Sequence, residues 1–133
     1  MEPEFLDLED VLLIHDEQLV RFGGSAGLRD RGLLESAVAM PQATFGGAFV
    51  HEGVFAMAAA YAFHIAENQP FVDGNKRTGV LAAVVFLELN GFIVEEPPSA
   101  LHAAMIAIAE RRLDKAGLAA LLERLSRPVG SAG

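Results

Sequence analysis

The sequence predicts an all-α fold, a compact bundle of about six helices around a central apolar helix. Several segments carry apolar residues at helical spacing between glycines, prolines and capping residues. Two of them, Val54 to Phe63 and Val80 to Leu87, are apolar without interruption, which is typical of helices that are buried on all sides. With 133 residues, the chain is expected to form one domain with a substantial core.

The N-terminal part is predicted to hold two helices. The first, Leu8–Phe22, has a helical apolar stripe and ends at a glycine pair. The second, Arg31–Met40, is capped by Asp30 and followed by Pro41. The glycine-rich loop between them, Gly23–Leu28, lacks both a preceding strand and the G-x-G-x-x-G spacing of nucleotide-binding loops. We therefore expect its glycines only to let the chain turn.

The middle of the chain is predicted to form a loop followed by two long helices. The loop covers residues 41–52, where Phe45 and Phe49 are available to hold it against the core. The helices are expected over Val54–Asn68 and over Asn75–Leu89. The second of them is predicted to be the central helix of the bundle.

The C-terminal part begins with Phe92–Val94, which is expected to be an extended connector or one strand of a small hairpin with an unidentified partner. Two prolines then open a further helix. A last helix, Lys115–Leu125, is capped by Asp114. We expect a single domain over residues 1–126 and a flexible tail over residues 127–133.

Composition and charge argue against several classes of protein. The net charge is −8, with 18 acidic against 10 basic residues, which opposes loose binding to nucleic acid. The longest apolar runs are far shorter than the roughly 18 residues that a membrane span needs. There is no cysteine, and the acidic N-terminus does not resemble a signal peptide. We expect a cytoplasmic protein that binds neither membrane nor nucleic acid directly.

The chemistry of the chain is concentrated in the segment Gln69–Thr78, Q-P-F-V-D-G-N-K-R-T, between the two apolar helices. Asp73 or Asn75 can cap the following helix, whose first N–H groups then point outward. Lys76 and Arg77 supply cations suited to phosphate oxygens. An ionised Asp73 can hold Mg²⁺ against the same phosphates. One interpretation of this segment is therefore a phosphate site.

A plainer interpretation also stays open, in which D-G-N is an ordinary turn with a helix cap. Gly74 lets the backbone turn closely, and the two cations after it are then merely solvated. One detail favours a ligand, because cations oppose the dipole at a helix N-terminus unless an anion compensates them.

The histidines do not indicate a metal site. Their positions are His15, His51, His64 and His102, without the spacing of zinc ligands. A zinc site is therefore not expected. His15 is expected to have a core or capping role, and His64 to be a hydrogen-bonded core residue.

The segment Gln69–Arg77 resembles the signature loop of the Fic/Doc family. In the Doc (death-on-curing) toxin branch this loop reads H-P-F-x-D-G-N-K-R, and eight of the nine positions fit here. The likeness extends to I-H-D at Ile14–Asp16, F-G-G-S-A-G-L-R-D at Phe22–Asp30 and L-L-E-S-A at Leu33–Ala37. From these motifs the chain is identified as a member of the family.

The resemblance implies a compact Fic/Doc-type helical bundle whose loop binds ATP and Mg²⁺. It assigns the metal to Asp73 and the anchoring of the loop to Phe71. The phosphate-binding positions that it implies are Gly74, Asn75, Lys76 and Arg77. Most Fic proteins transfer AMP to a protein hydroxyl, whereas the Doc toxin resembles this chain more and is a kinase acting on elongation factor Tu. The implied reaction is thus phosphoryl or AMP transfer, with phosphoryl transfer favoured.

The chain departs from the family at Gln69, which occupies the position of the general-base histidine. Imidazole suits that role because its pKa of about 6.5 lies near working pH, whereas an amide cannot take the proton. Loss of a general base typically costs about 10² to 10⁴ in rate. We expect weak or absent transfer with nucleotide binding retained. His64 is not expected to substitute, because its spacing from Gln69 directs it elsewhere.

The resemblance also implies partners. The chain lacks the S/T-x-x-x-E-G/N inhibitory motif, so a small Phd-like antitoxin is expected to restrain it by docking an amphipathic helix beside the Asp73 loop. The expected target is a translation factor such as elongation factor Tu. Two alternatives remain open. They are a catalytically inert relative that binds nucleotide or antitoxin, and an AMP-transferring Fic enzyme.

Overall fold

The computed structural model describes residues 2–95 and 98–130, without the side chains of residues 98 and 99. Within this part of the chain the all-α prediction is confirmed, with six α-helices and two small antiparallel sheets. The helices are α1 (Leu8–Phe22), α2 (Arg31–Ala39), α3 (Val54–Asn68), α4 (Asn75–Leu89), α5 (Pro98–Ala109) and α6 (Lys115–Leu125). The strands are β1 (Thr44–Phe45), β2 (Ala48–Phe49), β3 (Phe92–Val94) and β4 (Ser126–Pro128).

Helix α3 lies at the centre of the bundle. It contacts α2, α4, α5 and α6, whereas α4 contacts α1, α3 and α5. The expectation that the helix over Asn75–Leu89 is the central one was therefore wrong. Both helices are apolar on nearly every side, and periodicity alone does not say which of two such helices has more neighbours.

The two long helices approach each other unusually closely where Gly79 of α4 faces α3. A Cβ atom at Gly79 would lie 2.7 Å from the carbonyl oxygen of Ala62. Both helices carry buried alanines, and Ala58 and Ala59 of α3 and Ala83 of α4 are almost fully buried. Small residues let the two backbones come together, and this contact fixes the segment that joins α3 to α4.

The helix caps predicted for α2 and α6 are present. Asp30 accepts a hydrogen bond from the N–H of Leu33 at the start of α2, and Asp114 accepts one from Gly117 at the start of α6. Helix α2 ends one residue earlier than predicted, because a short 3₁₀ helix, Met40–Gln42, follows it and contains Pro41. These caps satisfy N–H groups that have no partner within the helix.

The loop over residues 41–52 differs from the prediction in two respects. It contains the hairpin of β1 and β2, and Phe45 is 86% exposed, so the expectation that Phe45 holds the loop against the core was wrong. Phe49 does pack inward, with its ring centroid 5.7 Å from that of Phe5. Thr44 pairs with Phe49, and Phe45 with Ala48. Since paired residues share a face and neighbours alternate, only one of the two phenylalanines can face the core.

Strand β3 finds its partner in the segment that was expected to be a free tail. Ile93 pairs with Arg127, and Val94 with Ser126, in an antiparallel ladder. The first residues of the predicted flexible tail over 127–133 are therefore part of a sheet, while residues 131–133 lie outside the described chain. No local pattern signals this pairing, because the two strands are far apart in sequence.

No helix in the described part of the chain combines the length and the apolarity needed to cross a membrane.

Candidate functional site

The chain passes from α3 to α4 through a short loop with a left-handed residue at each end. Gln69 ends α3 with φ 48° and ψ 55°, and its N–H donates to the carbonyl of Ile65. Gly74 begins α4 with φ 78°. A Cβ atom at Gly74 would lie 2.1 Å from Nε2 of Gln18, which is fully buried beneath it. Both the dihedral angle and the lack of space therefore require glycine at position 74.

No side chain caps the N-terminus of α4. The expectation that Asp73 or Asn75 caps this helix was wrong, since neither side chain makes a cap hydrogen bond. Instead, the Asn75 amide folds back on the loop, where Oδ1 accepts from the N–H of Phe71 at 2.9 Å and Nδ2 donates to its carbonyl at 3.0 Å. The first N–H groups of a helix have no partner within it, so the start of α4 offers donors to a ligand.

A buried stack anchors the loop from below. Phe71 is 2% exposed and lies parallel to the ring of His15 on α1, with 3.7 Å between the ring centroids. Nε2 of His15 lies 2.8 Å from the main-chain carbonyl of Asp73, where it donates a hydrogen bond. The core role expected of His15 is confirmed, and its ring also fixes the backbone at Asp73.

The glycine-rich loop between α1 and α2 packs directly against the α3–α4 loop. Leu28 forms a β-bridge with Phe71, and the N–H of Val72 donates to the carbonyl of Gly27. A Cβ atom at Gly24 would lie 2.7 Å from Oδ2 of Asp73. The expectation that these glycines only let the chain turn was therefore wrong, because they also allow the loop to approach the Asp73 carboxylate.

Arg29 closes the other end of the loop. Its Nε donates to the carbonyl of Gln69 at 2.8 Å and its Nη2 to that of Asn68 at 3.1 Å. The main-chain N–H groups of Arg29 and Asp30 both donate to the carbonyl of Pro70. The last carbonyls of a helix have no hydrogen-bond donor within it. At the end of α3, Arg29 supplies the missing donors.

The Asp73 carboxylate is exposed and ionised at neutral pH. Its Oδ2 accepts from the N–H of Ser25 at 3.1 Å, and its Oδ1 from the N–H of Gly74 at 2.9 Å. These two hydrogen bonds, with a smaller contribution from Arg77, lower the pKa of Asp73. Each oxygen retains capacity to accept a further hydrogen bond or to bind a cation.

The exposed cations Lys76 and Arg77 extend from the first turn of α4 into two adjoining cavities. The guanidinium of Arg77 lies over the ring of Phe22, 4.6 Å from its centroid. One cavity, of about 310 Å³, is lined by Ala66, Gln69, Val72, Asp73, Gly74, Asn75, Lys76, Arg77 and His102. The other, of about 330 Å³, is lined by Arg21, Phe22, Lys76, Arg77, Val80, Leu81 and His102. The first cavity thus brings together all the predicted site residues except the buried Phe71.

The first cavity suits a metal that arrives with phosphates. The described residues contain no cluster of three or more His, Asp or Glu side chains that could hold an ion unaided. Asp73 supplies one carboxylate beside open helix N–H groups and two cations. Mg²⁺ is usually bound by one or two carboxylates together with substrate phosphates and waters. The residues present therefore fit a magnesium–phosphate complex.

His64 lies apart from this site, as its spacing predicted. Nζ of Lys115 lies 3.0 Å from Nε2 of His64 and 2.8 Å from Nε2 of His51. Burial, together with the charges of Lys115 and His51, lowers the pKa of His64 to about 4. His64 is thus a partly buried, hydrogen-bonded residue, and it does not line either cavity at the loop.

Comparison with known proteins decides the family. The family model described as "Fic/DOC family" matches residues 5–87, which include the whole loop and most of α4. The chain belongs to the Fic/DOC family. The matched residues include Gln69 and also His15 and Arg29, which contact the loop.

Two relatives within the Fic/DOC family are informative. The chain is 47% identical over 88 residues to Toxin Doc of Mycolicibacterium smegmatis (strain ATCC 700084 / mc(2)155), an alignment that covers 66% of this chain and 65% of that protein. It is 30% identical over 117 residues to Protein kinase doc of Escherichia phage P1, covering 88% of this chain and 91% of that protein. The chain therefore spans slightly less than two thirds of the first relative and most of the second.

Proposed function

We propose that this chain is a Doc-like toxin of a toxin–antitoxin pair, which binds ATP with Mg²⁺ and transfers a phosphoryl group to a protein hydroxyl. One observation carries the proposal. The uncapped start of α4 opens into a cavity that also holds an ionised carboxylate and two cations. The relatives named Toxin Doc and Protein kinase doc support the toxin and the kinase parts of it.

Each of the loop residues has its own role in binding the nucleotide. Asp73 holds Mg²⁺ through its free lone pairs. Gly74 and Asn75 offer main-chain N–H groups to the phosphates, Lys76 adds a point charge, and Arg77 adds its planar fork. Mg²⁺ held there by Asp73 would neutralise negative charge that develops on the phosphates during transfer. Phosphoryl transfer depends mainly on such positioning and charge stabilisation, so this site suits it.

Gln69 limits the rate in this proposal. Its main chain is fixed by Arg29, and its side chain lines the cavity that holds Asp73. The amide can orient a substrate hydroxyl by hydrogen bonding, but it cannot take the hydroxyl proton. Transfer is therefore slower than in a chain with histidine at position 69, by up to about 10² to 10⁴.

We propose that the antitoxin binds in the cavity next to the loop. The cavity lined by Phe22, Val80 and Leu81 is largely apolar, and Arg21, Lys76 and Arg77 also line it, which suits an amphipathic helix of a small Phd-like antitoxin. The target is a translation factor such as elongation factor Tu, and a cytoplasmic location follows from it. Cross-links from a bound antitoxin should map to Phe22 and Val80, and cross-links confined to distant faces would exclude this site.

A second candidate function rests on Gln69 itself. Because no general base stands at that position, the chain could be an inert relative that binds nucleotide or antitoxin without chemistry. Transfer of AMP is a further alternative, which ranks lower because AMP-transferring members more often carry glycine where this chain has Lys76.

Isotope labelling distinguishes these functions. The native protein and the Gln69→His variant are each incubated with Mg²⁺, a translation extract and ATP labelled at the α or the γ phosphate. Label from the γ phosphate on a protein, stronger with Gln69→His, supports the kinase. Label from the α phosphate identifies AMP transfer. No labelling by either protein, although both bind ATP, identifies the binding module.

A further inference from the structure

The loop lacks a proton acceptor at position 69, so the positions of the histidines decide whether another group can supply one. Of the four histidines in the sequence, His15 is buried in the stack with Phe71 and donates to a main-chain carbonyl. His51 and His64 both contact Lys115. His102 on α5 lines the cavity that holds Gln69 and Asp73.

The position of His102 is fixed by its neighbours on α5. Leu101 and Met105 are 3% and 1% exposed and belong to the core. Their burial holds α5 against α3 and α4. His102 itself is exposed and lines both adjoining cavities. His102 is thus held beside the loop by a helix that is packed on the same core as the loop.

The surroundings of His102 are those of a phosphate site. The charged groups that line the cavities with it are Arg21 from α1, Asp73 from the loop, and Lys76 and Arg77 from α4. Among residues 2–95 and 98–130, no side chain or main-chain group is hydrogen-bonded to the His102 ring. Both ring nitrogens can therefore serve a ligand, and a neutral imidazole has one donor and one acceptor nitrogen.

We infer that His102 is the general base of this chain, acting on the target hydroxyl in place of the missing loop histidine. This inference rests on the proposed phosphoryl transfer. The hydroxyl oxygen forms a bond to the γ phosphorus of the bound nucleoside triphosphate, the bond between that phosphorus and the β–γ bridging oxygen breaks, and the nucleoside diphosphate leaves. The hydroxyl proton passes to His102, directly or through one water, and from there to solvent.

The inference is tested with four proteins: native, His102→Gln, Gln69→His, and the double variant. We expect His102→Gln to lower the rate of γ-label transfer by about 10² to 10⁴ without changing the affinity for ATP. The double variant should transfer as fast as Gln69→His, because the loop histidine makes His102 dispensable. Ala103→Gln, at an exposed neighbouring position on α5, should have no effect.

Two further readouts separate a base from a structural residue. A catalytic base should give the native rate a pH dependence that the residual rate of His102→Gln lacks. In NMR spectra, Mg²⁺ with ATP should shift the ring signals of His102 but not those of His51 and His64. A circular dichroism spectrum unchanged by His102→Gln excludes misfolding as the cause of a lower rate.

Four other outcomes would each overturn the inference, and the measurements distinguish them from one another. If His102→Gln transfers as fast as the native protein, the proposed kinase function stands and His102 is not the base. If ATP affinity falls in parallel with rate, His102 binds phosphate instead. If only proteins with histidine at position 69 transfer label, the native chain has no base. If none of the four transfers label, the proposed function fails and the inference with it.

Discussion

Arg29 fixes the main chain of Gln69, with the guanidinium Nε donating to the Gln69 carbonyl at 2.8 Å. Gln69 is in the left-handed conformation, which a residue with a Cβ atom seldom adopts without support. The same guanidinium reaches the carbonyl of Asn68. One side chain from the segment before α2 therefore holds the main chain where α3 ends and the loop between α3 and α4 begins.

Replacing Arg29 should loosen the loop more than it unfolds the protein. Arg29→Met removes two charge-assisted hydrogen bonds to exposed carbonyls, so the free energy of unfolding should fall by about 1–2 kcal/mol in urea titrations. Arg31→Met removes an exposed ion pair with Glu35 and should cost less than about 0.5 kcal/mol. Equal effects of the two substitutions would show that Arg29 does not hold the loop.

The contact between α3 and α4 can be tested at Gly79. Gly79→Ala places a methyl group 2.7 Å from the carbonyl oxygen of Ala62, so it should lower the free energy of unfolding by about 1–3 kcal/mol. Gly32→Ala is the matched control, because Gly32 is also helical and its nearest neighbour would be 3.4 Å away. That variant should be neutral or more stable by up to about 1 kcal/mol. Thermal or urea unfolding of both variants measures the difference.

Acid should weaken the fold through His64. Burial, then the charges of Lys115 and His51, lower the pKa of His64 to about 4 in the folded protein, whereas the unfolded chain titrates near 6.5. The unfolded state therefore binds the proton first, and the stability that the neutral imidazole provides above pH 6.5 is lost as pH falls toward 4. An NMR titration of the His64 ring measures this directly, and a midpoint near 6.5 would contradict it.

Lys115 provides the matched control for that titration. Lys115→Met removes the nearby positive charge but retains much of the apolar stem, so it should raise the pKa of His64. Burial is the larger cause of the shift, so the pKa should remain below 6.5. A value unchanged from that of the native protein would show that the charge of Lys115 does not act on His64.

Asp73 should couple nucleotide binding to Mg²⁺. Asp73→Asn keeps the size of the side chain but removes the charge that would hold the metal, so ATP should bind this variant equally well with and without Mg²⁺. Native protein should bind ATP more tightly when Mg²⁺ is present. Asp16→Asn, at an exposed position on α1, should retain the full effect of Mg²⁺. Calorimetric titrations with and without EDTA provide the comparison.

Local patterns predicted the elements of the fold well. The residues that cap or end a helix lie within a few residues of its termini in the sequence. Asp30 and Asp114 could therefore be identified as N-caps. The pairing of β3 with β4 could not be predicted, because no turn joins the two strands. The exposure of Phe45 was missed because it depends on the face of a two-residue strand.

The candidate site was only partly predictable for a similar reason. The residues of the loop itself are contiguous, so Asp73, Lys76 and Arg77 stood out together. The groups that support the loop come from distant segments, as Arg29 and His15 do. Their side chains resemble ordinary surface and core residues until the fold places them. Asn75 was misjudged as a possible cap because its alternative partner, the main chain of Phe71, exists only once the loop has closed.

The central claim is that the start of α4 binds the phosphates of a nucleotide, and calorimetry with ATP and with adenosine tests it most directly. With Mg²⁺ present, the native protein should bind ATP far more tightly than adenosine, and Arg77→Gln should weaken ATP binding by about tenfold to a hundredfold. Arg31→Gln, outside the site, should bind ATP as the native protein does. Equal affinity for ATP and adenosine, or ATP binding that Arg77→Gln leaves unchanged, would contradict the account.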